Sequence, residues 1–250
     1  MSQQEEAIPT GMTPEAANGS SGEKDVARAA ADGSFQTGLR PELGRPGYRV
    51  AKRAFDIAFS GAVIALAAVP SALLCLAIRL ESPGCPIYSQ VRMGRIDRDG
   101  TMHPFRMYKF RSMYADADER LAELLDQNEV EGAMFKMHDD PRVTRIGRFI
   151  RRHSIDEFPQ FVNVFLGQMS VVGPRPPLPR EIPDYAPRDL RRLTVKPGLT
   201  GPWQVSGRSD LFFSDMVELD LDYIERRGFL YDLKLIARTV KVVFTGEGAA

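Results

Sequence analysis

With two cysteines and three histidines in 250 residues, the chain is poor in the residues of disulfide and soft-metal chemistry. Cys75 sits inside an apolar run and Cys85 beyond it, without metal-ligand spacing, so a reducing compartment is the simpler setting. His103, His138 and His153 stand singly, which leaves a zinc site without ligands. Net charge is also lacking: 33 basic residues balance 33 acidic ones. Global charge therefore attracts no nucleic acid, and any basic surface must come from local patterning. Neither GxxxxGK[ST] nor GxGxxG occurs, so a P-loop NTPase and a Rossmann enzyme are both unsupported.

Large apolar residues are scarce in the first stretch, which is rich in Gly, Ser, Pro, Ala and charge. Such a segment buries too little surface to offset its ordering entropy, so residues 1–47 are expected to be a disordered tail. It lacks the basic start and apolar stretch of a signal peptide, which predicts an N-terminus that stays in the cytosol.

Residues 57–78, IAFSGAVIALAAVPSALLCLAI, then run without a charge. As straight helix they would measure about 33 Å, against about 30 Å of bilayer hydrocarbon. Pro70 inside the run predicts a kink or break, with Ser71 placed to satisfy freed backbone groups. Arg40, Arg45, Arg49, Lys52 and Arg53 precede the run, and Arg79, Arg92, Arg95 and Arg98 follow it. Cations at both ends prefer the cytoplasmic side. Together these features predict a re-entrant membrane helix over residues 48–81, broken near Pro70; an ordinary single span and a buried core helix are the alternatives. Asp56, at the entrance, is assigned a structural part, pairing with a cation or capping a helix.

Beyond the turn-rich ESPGCP, IYSQVRMG and HPFRMYKFRSM read as strands or extended loops, and residues 115–128 as a solvated surface helix. In residues 141–152, Val143, Ile146, Phe149 and Ile150 share one helical face, with arginines on the rest. Residues 229–244 repeat the design, with Phe229, Leu233, Ile236, Val240 and Val243 beside a stripe of Lys234, Arg238 and Lys241. Either helix suits an anionic membrane surface, or packs on a core with its cations solvated. The fold class expected is α+β, mostly helical: a membrane-inserted helix plus a small cytosolic domain, residues 82–248, with amphipathic interfacial helices and short strands.

RRHSIDEFPQFVNVF, residues 151–165, sets Asp156 and Glu157 side by side. Ser154 followed by Glu157 has the spacing of a capping box, which would make both acids helix furniture. The other reading is chemical. Neighbours on a helix diverge by about 100°, so the two acids cannot share a proton and suit two separate tasks. A carboxylate attacking phosphorus would need a divalent cation and basic side chains to neutralise the phosphate oxygens. Candidate cations are Lys109 and Arg111 in YKFRSM, Arg152, and Arg175 on the Gly-Pro turn of VVGPRPP; each alone could equally be a surface charge. KPGLTGPWQVSGR adds a glycine-rich loop in which Gly201, Trp203, Gln204 and Arg208 are substrate-binding candidates, although Trp203 could as readily be core.

Taken together, KRAFDIAFS, AIRLESPGCPIYSQVRMGR, MYKFRSM, DDPRVTRIGRFIRRHSIDEFPQFVNVFLGQMSVVGPRP, KPGLTGPWQVSGR and LDYIERRGFLYDLKLIARTV resemble the bacterial sugar transferase family, the monotopic phosphoglycosyl transferases. The resemblance covers roughly residues 48–248. It implies an enzyme of the inner membrane's cytosolic face that moves a sugar 1-phosphate from a UDP-sugar to polyprenyl phosphate and releases UMP, opening surface-polysaccharide assembly. It implies Mg²⁺ as cofactor, held by Asp156 and Glu157, with Asp156 as nucleophile and Lys109, Arg111 and Arg175 on phosphates. It also implies the small core-only form, the hexose 1-phosphate branch and a possible homodimer. One departure stands out: the family often breaks its helix at Ser-Pro, and here Val69 precedes Pro70. A non-catalytic, membrane-anchored scaffold of polysaccharide assembly is the alternative from another class.

Overall fold

The computed structural model describes residues 34–124, 137, 140–206 and 212–245. The elements in chain order are β1 (Phe35–Gln36), α1 (Pro46–Glu81), β2 (Ile87–Ile96), β3 (Thr101–Phe110), α2 (Ala117–Leu124), α3 (Arg145–Arg152), α4 (Gln160–Leu166), β4 (Ser170–Val172), α5 (Pro187–Leu190), β5 (Gly198–Thr200), α6 (Phe213–Arg226) and α7 (Phe229–Thr245). Short 3₁₀ turns connect them, one of which, Ile155–Glu157, carries the two acids.

The two sequence stretches read as strands form one antiparallel hairpin, β2 with β3, to which β1 adds an edge. Cross-strand partners point to the same face, so Tyr88, Gln90 and Arg92 share a face with Lys109, Met107 and Phe105. That face packs on α4 through Phe105, Met107 and Val164, in a core completed by Val171, Val172, Leu221, Tyr223 and Leu235. The opposite face sends Phe110 into a second cluster with Ile78 of α1 and Ile150 of α3. Asn163 locks α4 to β3: its Oδ1 accepts from Tyr108 N at 3.1 Å, and its Nδ2 donates to Arg106 O and Gln168 Oε1 at 2.7 Å each. Buried Arg192 and Asp220, 2.5 Å apart, tie α6 to the turn before β5.

Residues 34–45, expected to belong to a disordered tail, are ordered instead. Phe35 and Leu39 pack against Met93, Ile96 and Met102, and Thr37 N donates to Gly100 O at 2.9 Å. Two apolar anchors and a free strand edge suffice where composition alone foretold none. Residues 1–33 of that expectation lie outside the described residues.

α1 is one 36-residue helix, with Pro70 inside it rather than at a break between two helices. Losing one donor and crowding the preceding turn costs about 3 kcal/mol, which the helix-forming Leu and Ala on both sides outweigh. Only 6 % of its most apolar window is buried, which rules out the core-helix alternative. Leu66, Val69, Leu73 and Leu80 are all exposed.

Both ends of α1 nevertheless hold to the same globular body. At the near end, Asp56 accepts from Ser170 Oγ and Val171 N at 3.0 Å, and Arg53 donates to the carbonyls of Val164 and Phe165 at 2.8 Å. At the far end, Glu81 caps α3, accepting from Arg145 N at 2.8 Å and Ile146 N at 3.0 Å. The structural assignment of Asp56 is thus met by two bonds to β4.

The amphipathic reading of residues 141–152 divides. Val143 and Ile150 are buried in the domain, and Arg142 is buried in an ion pair with Asp140 at 2.6 Å. Only Phe149 of the apolar set remains well exposed, beside His153. In α7, Leu235 and Asp232 are buried while Leu230, Leu233 and Val240 stay exposed. Both cysteines are free.

Candidate active site

The capping box is not made. Ser154 lies in the left-handed region at φ 53°, its side chain caps nothing, and the next three residues form a 3₁₀ turn. Positive φ at a non-glycine residue is uncommon; it turns the chain sharply between α3 and the acids. The reciprocal cap is therefore absent, and the surroundings of the two acids differ. Glu157 accepts from Lys109 Nζ at 2.9 Å, whereas Asp156 Oδ2 is 3.9 Å from the same ammonium. Asp156 is 8 % exposed, and no other side chain donates a hydrogen bond to it among the described residues.

Electrostatics follow from that position. Burial raises the Asp156 pKa to about 6; Lys109 opposes the rise, Glu157 adds to it, and Arg151 opposes it more weakly. A buried acid with an incomplete set of donors is how a fold keeps a carboxylate available for reaction. Arg151 and the predicted Arg152 are both exposed in the last turn of α3.

Of the other predicted cations, Arg175 is half-buried, with its guanidinium 6.0 Å from the Trp203 ring centre. Arg111 is buried at the end of β3. Its guanidinium donates to the Ser82 and Pro83 carbonyls, tying off the far end of α1, because the chain leaving β3 passes under that turn. In this structure those two nitrogens hold the end of α1, and Nε is buried without a partner.

Arg92, in sequence only a flanking charge of the apolar run, belongs to this region. It is buried on the Lys109 face of the hairpin, where Nη1 donates to Pro176 O at 3.1 Å and Nε and Nη2 donate to Gln90 Oε1 at 3.1 and 2.6 Å. Burial lowers its pKa to about 10, Arg175 lowers it further, and Glu181 and Glu157 raise it. Arg92 and Lys109 thus share one hairpin face, Lys109 bonded to Glu157 and Arg92 to the residue after Arg175, an arrangement suited to an anion with several charges. The signal was in the alternation of Gln90 and Arg92, legible once the strand was paired with 105–109.

The glycine-rich loop packs against the Arg175 loop. Gly173 N donates to Thr200 O and Gly198 N to Pro174 O, both at 2.8 Å. A Cβ on Gly198 would stand 2.0 Å from Gly173 N, and one on Gly201 would stand 2.5 Å from Gly173 O. These glycines therefore serve loop-to-loop contact. Trp203 is buried rather than an open plate, with Nε1 lacking a partner, and Gln204 beside it is half-buried. Arg208 lies outside the described residues.

No cluster of three or more His, Cys, Asp or Glu side chains forms among the described residues. Two adjacent carboxylates still fit Mg²⁺, which takes one or two protein carboxylates and completes its shell with water and substrate phosphate oxygens.

Residues 47–246 match the bacterial sugar transferase family, and the chain belongs to it. Among relatives, the galactosyl transferase CpsE of Streptococcus agalactiae is 46 % identical over 80 % of this chain and 43 % of its own length. The undecaprenyl-phosphate galactose phosphotransferase of Salmonella typhimurium is 38 % identical over 84 % of this chain and 44 % of its own. The exopolysaccharide production protein ExoY of Rhizobium meliloti is 34 % identical over 82 % of this chain and 90 % of its own. The chain thus spans less than half of the first two relatives and most of the third.

Proposed function

We propose that the chain is a membrane transferase that moves a sugar 1-phosphate, of the hexose class, from a UDP-sugar to polyprenyl phosphate and releases UMP. The observation that carries the reading is Asp156: buried, short of donors, and beside a lysine already engaged by Glu157. The names of the galactose phosphotransferase and ExoY relatives point the same way.

In this reading an Asp156 oxygen attacks the phosphorus that bears the sugar. The bond to the UMP phosphate breaks, and UMP leaves with the electron pair. A phosphate oxygen of the polyprenyl acceptor then attacks the same phosphorus and displaces the Asp156 carboxylate, which is regenerated. Lys109 steadies the carboxylates, Arg175 holds the donor's phosphate oxygens, and Arg92 positions the Arg175 loop through the Pro176 carbonyl. Mg²⁺, held by Asp156 and Glu157, would supply Lewis-acid neutralisation of those oxygens.

The site requires the bilayer's cytosolic surface. Attachment of both ends of α1 to one body supports a path that enters and returns on that side, with Pro70 as the position where the helix would bend. A cysteine placed near residue 45 should react with a membrane-impermeant reagent only from the cytosolic side; reaction from outside would reject that path.

UMP release by the full chain in nanodiscs, with Mg²⁺, undecaprenyl phosphate and a panel of UDP-sugars, tests the chemistry. Release that vanishes in Asp156→Asn is expected. Unchanged release in that variant would reject the nucleophile. Absence of both release and nucleotide-sugar binding would favour a scaffold.

A further inference from the structure

β3 has β2 along one edge, and on the other β1 reaches only as far as Met102. Among the described residues, no strand covers that edge from residue 103 to Phe110. A bare edge leaves backbone groups to find other partners. At its centre the Asn163 carboxamide does what a strand would: Oδ1 accepts from Tyr108 N at 3.1 Å and Nδ2 donates to Arg106 O at 2.7 Å. An acceptor for one N–H and a donor to the carbonyl two residues earlier are what one residue of a neighbouring parallel strand presents. Asn163 is fully buried, where a polar side chain is costly unless its bonds are made, and its second amide hydrogen goes to Gln168 Oε1 at 2.7 Å.

These bonds join the two halves of the candidate site. Lys109 follows Tyr108 directly, and its ammonium lies 2.9 Å from Glu157 and 3.9 Å from Asp156. On the other side, the turn of the acids runs into α4 without a break: Phe158 N donates to Ile155 O at 3.1 Å, Phe161 N to Phe158 O at 3.0 Å and Val162 N to Pro159 O at 3.1 Å. The acids and Asn163 therefore belong to one rigid piece. Arg53 holds its far end, at the Val164 and Phe165 carbonyls. The Asn163 carboxamide sets that piece against β3, and so sets how far the carboxylates stand from Lys109.

We infer that Asn163 is a positioning residue of the site: it takes the place of a strand on the β3 edge and thereby fixes Lys109 at the two carboxylates. Packing alone asks for no amide here, since Phe161 and Val164 of the same helix already bury apolar surface. An apolar residue at 163 would leave Tyr108 N and Arg106 O unpaired, and the angle of α4 on β3 unset. The position of Lys109 is a matter of geometry whatever the site does; an effect on turnover rests on the proposed transfer.

Wild type, Asn163→Ala, Lys109→Met and the double variant, each as the full chain in detergent, test this through thermal unfolding and UMP release. Asn163→Ala should lower kcat about 100-fold, the scale of an ångström's misplacement, with KM for the UDP-sugar within about threefold because Arg92 holds the Arg175 loop separately. With Asn163 present, Lys109→Met should lower kcat and reduce the melting temperature by about 2 °C. In the Asn163→Ala background it should do neither, because the lysine has already left Glu157. The same melting shift, and the same factor in any turnover present, in both backgrounds would overturn the inference and leave Asn163 to packing. Gln168→Ala, at an exposed position, removes only the local bond and should keep kcat within about twofold of wild type. Asn163→Asp, of the same shape, still accepts from Tyr108 N but as a carboxylate cannot donate to Arg106 O; it takes the place of Asn163→Ala in the cycle if that variant does not fold. Absence of turnover in all of them would reject the proposed chemistry, and the melting temperatures would still decide what fixes Lys109.

Discussion

Asp232 and Asp156 are both buried carboxylates beside a lysine, and the fold treats them in opposite ways. Asp232 accepts from Lys52 at 2.7 Å, Tyr48 at 2.9 Å and Tyr223 at 2.8 Å, binding α7 to the foot of α1 and to α6. Asp156 has one ammonium at 3.9 Å and no side-chain donor among the described residues. Three donors make a carboxylate rigid and inert; an incomplete set leaves lone pairs for a substrate. Burial alone therefore does not separate chemistry from structure, whereas the completeness of the hydrogen bonding does.

The largest effect expected from that contrast is on turnover. Asp156→Asn should lower UMP release by about 10³-fold or more, since the nucleophile is removed outright. In wild type the nucleophile must be ionised; bound Mg²⁺ would lower the metal-free pKa of about 6, so the rate should rise with pH to a plateau that is reached at lower pH as Mg²⁺ is raised. Steady-state pH profiles in nanodiscs at low and high Mg²⁺ check this, and an apparent pKa that does not move with Mg²⁺ would count against Asp156 as the titrating group.

Asp232→Asn should do the reverse. Replacing the charge leaves Lys52 half-buried without its counter-ion and weakens two tyrosine bonds, at a cost of about 3 kcal/mol in stability. Thermal unfolding should show the loss, while kcat per folded molecule stays within about threefold of wild type. Loss of kcat without loss of stability would mean that the inert network takes part in chemistry.

Sequence reading reached the strands, the long apolar helix and the two acids because each is a local pattern: alternation, an uncharged run, adjacent residues. It misassigned what depends on tertiary geometry. Arg111 lies two residues from Lys109 and looks equivalent, yet the strand ends between them and sends its guanidinium to the Ser82 and Pro83 carbonyls. Ser154 and Glu157 have capping-box spacing, and the left-handed backbone at Ser154 prevents the cap. Arg92 needed the register of β2 on β3, which no single strand reveals.

A smaller effect tests the electrostatic half of the comparison. Because burial raises the Asp156 pKa to about 6 in the fold, from 3.8, the fold favours its protonated form. The resulting stability is complete below about pH 4 and is lost as pH rises through about 6. At pH 8 the wild type bears a buried charge that Asp156→Asn lacks. The variant should be more stable there by on the order of 2 kcal/mol, and nearly equal to wild type at pH 4. Melting curves recorded without Mg²⁺ at the two pH values decide, and destabilisation at pH 8 would place Asp156 with Asp232 among the structural acids.

The smallest effect concerns how the arginines divide their work. Arg92 holds Gln90 with two nitrogens and the Pro176 carbonyl with a third, next to the residue that carries the second guanidinium. Met93 N also donates to Pro177 O at 2.9 Å, so β2 grips the Arg175 loop at two consecutive residues. Arg92→Lys keeps the charge but loses the fork, and one ammonium cannot reach both partners in their planar arrangement. If Arg92 positions the loop that binds the donor's phosphates, KM for the UDP-sugar should rise about tenfold while kcat changes less than about threefold. A lowered melting temperature with KM unchanged would assign Arg92 to packing alone, and leave Lys109 and Arg175 to meet the donor without it.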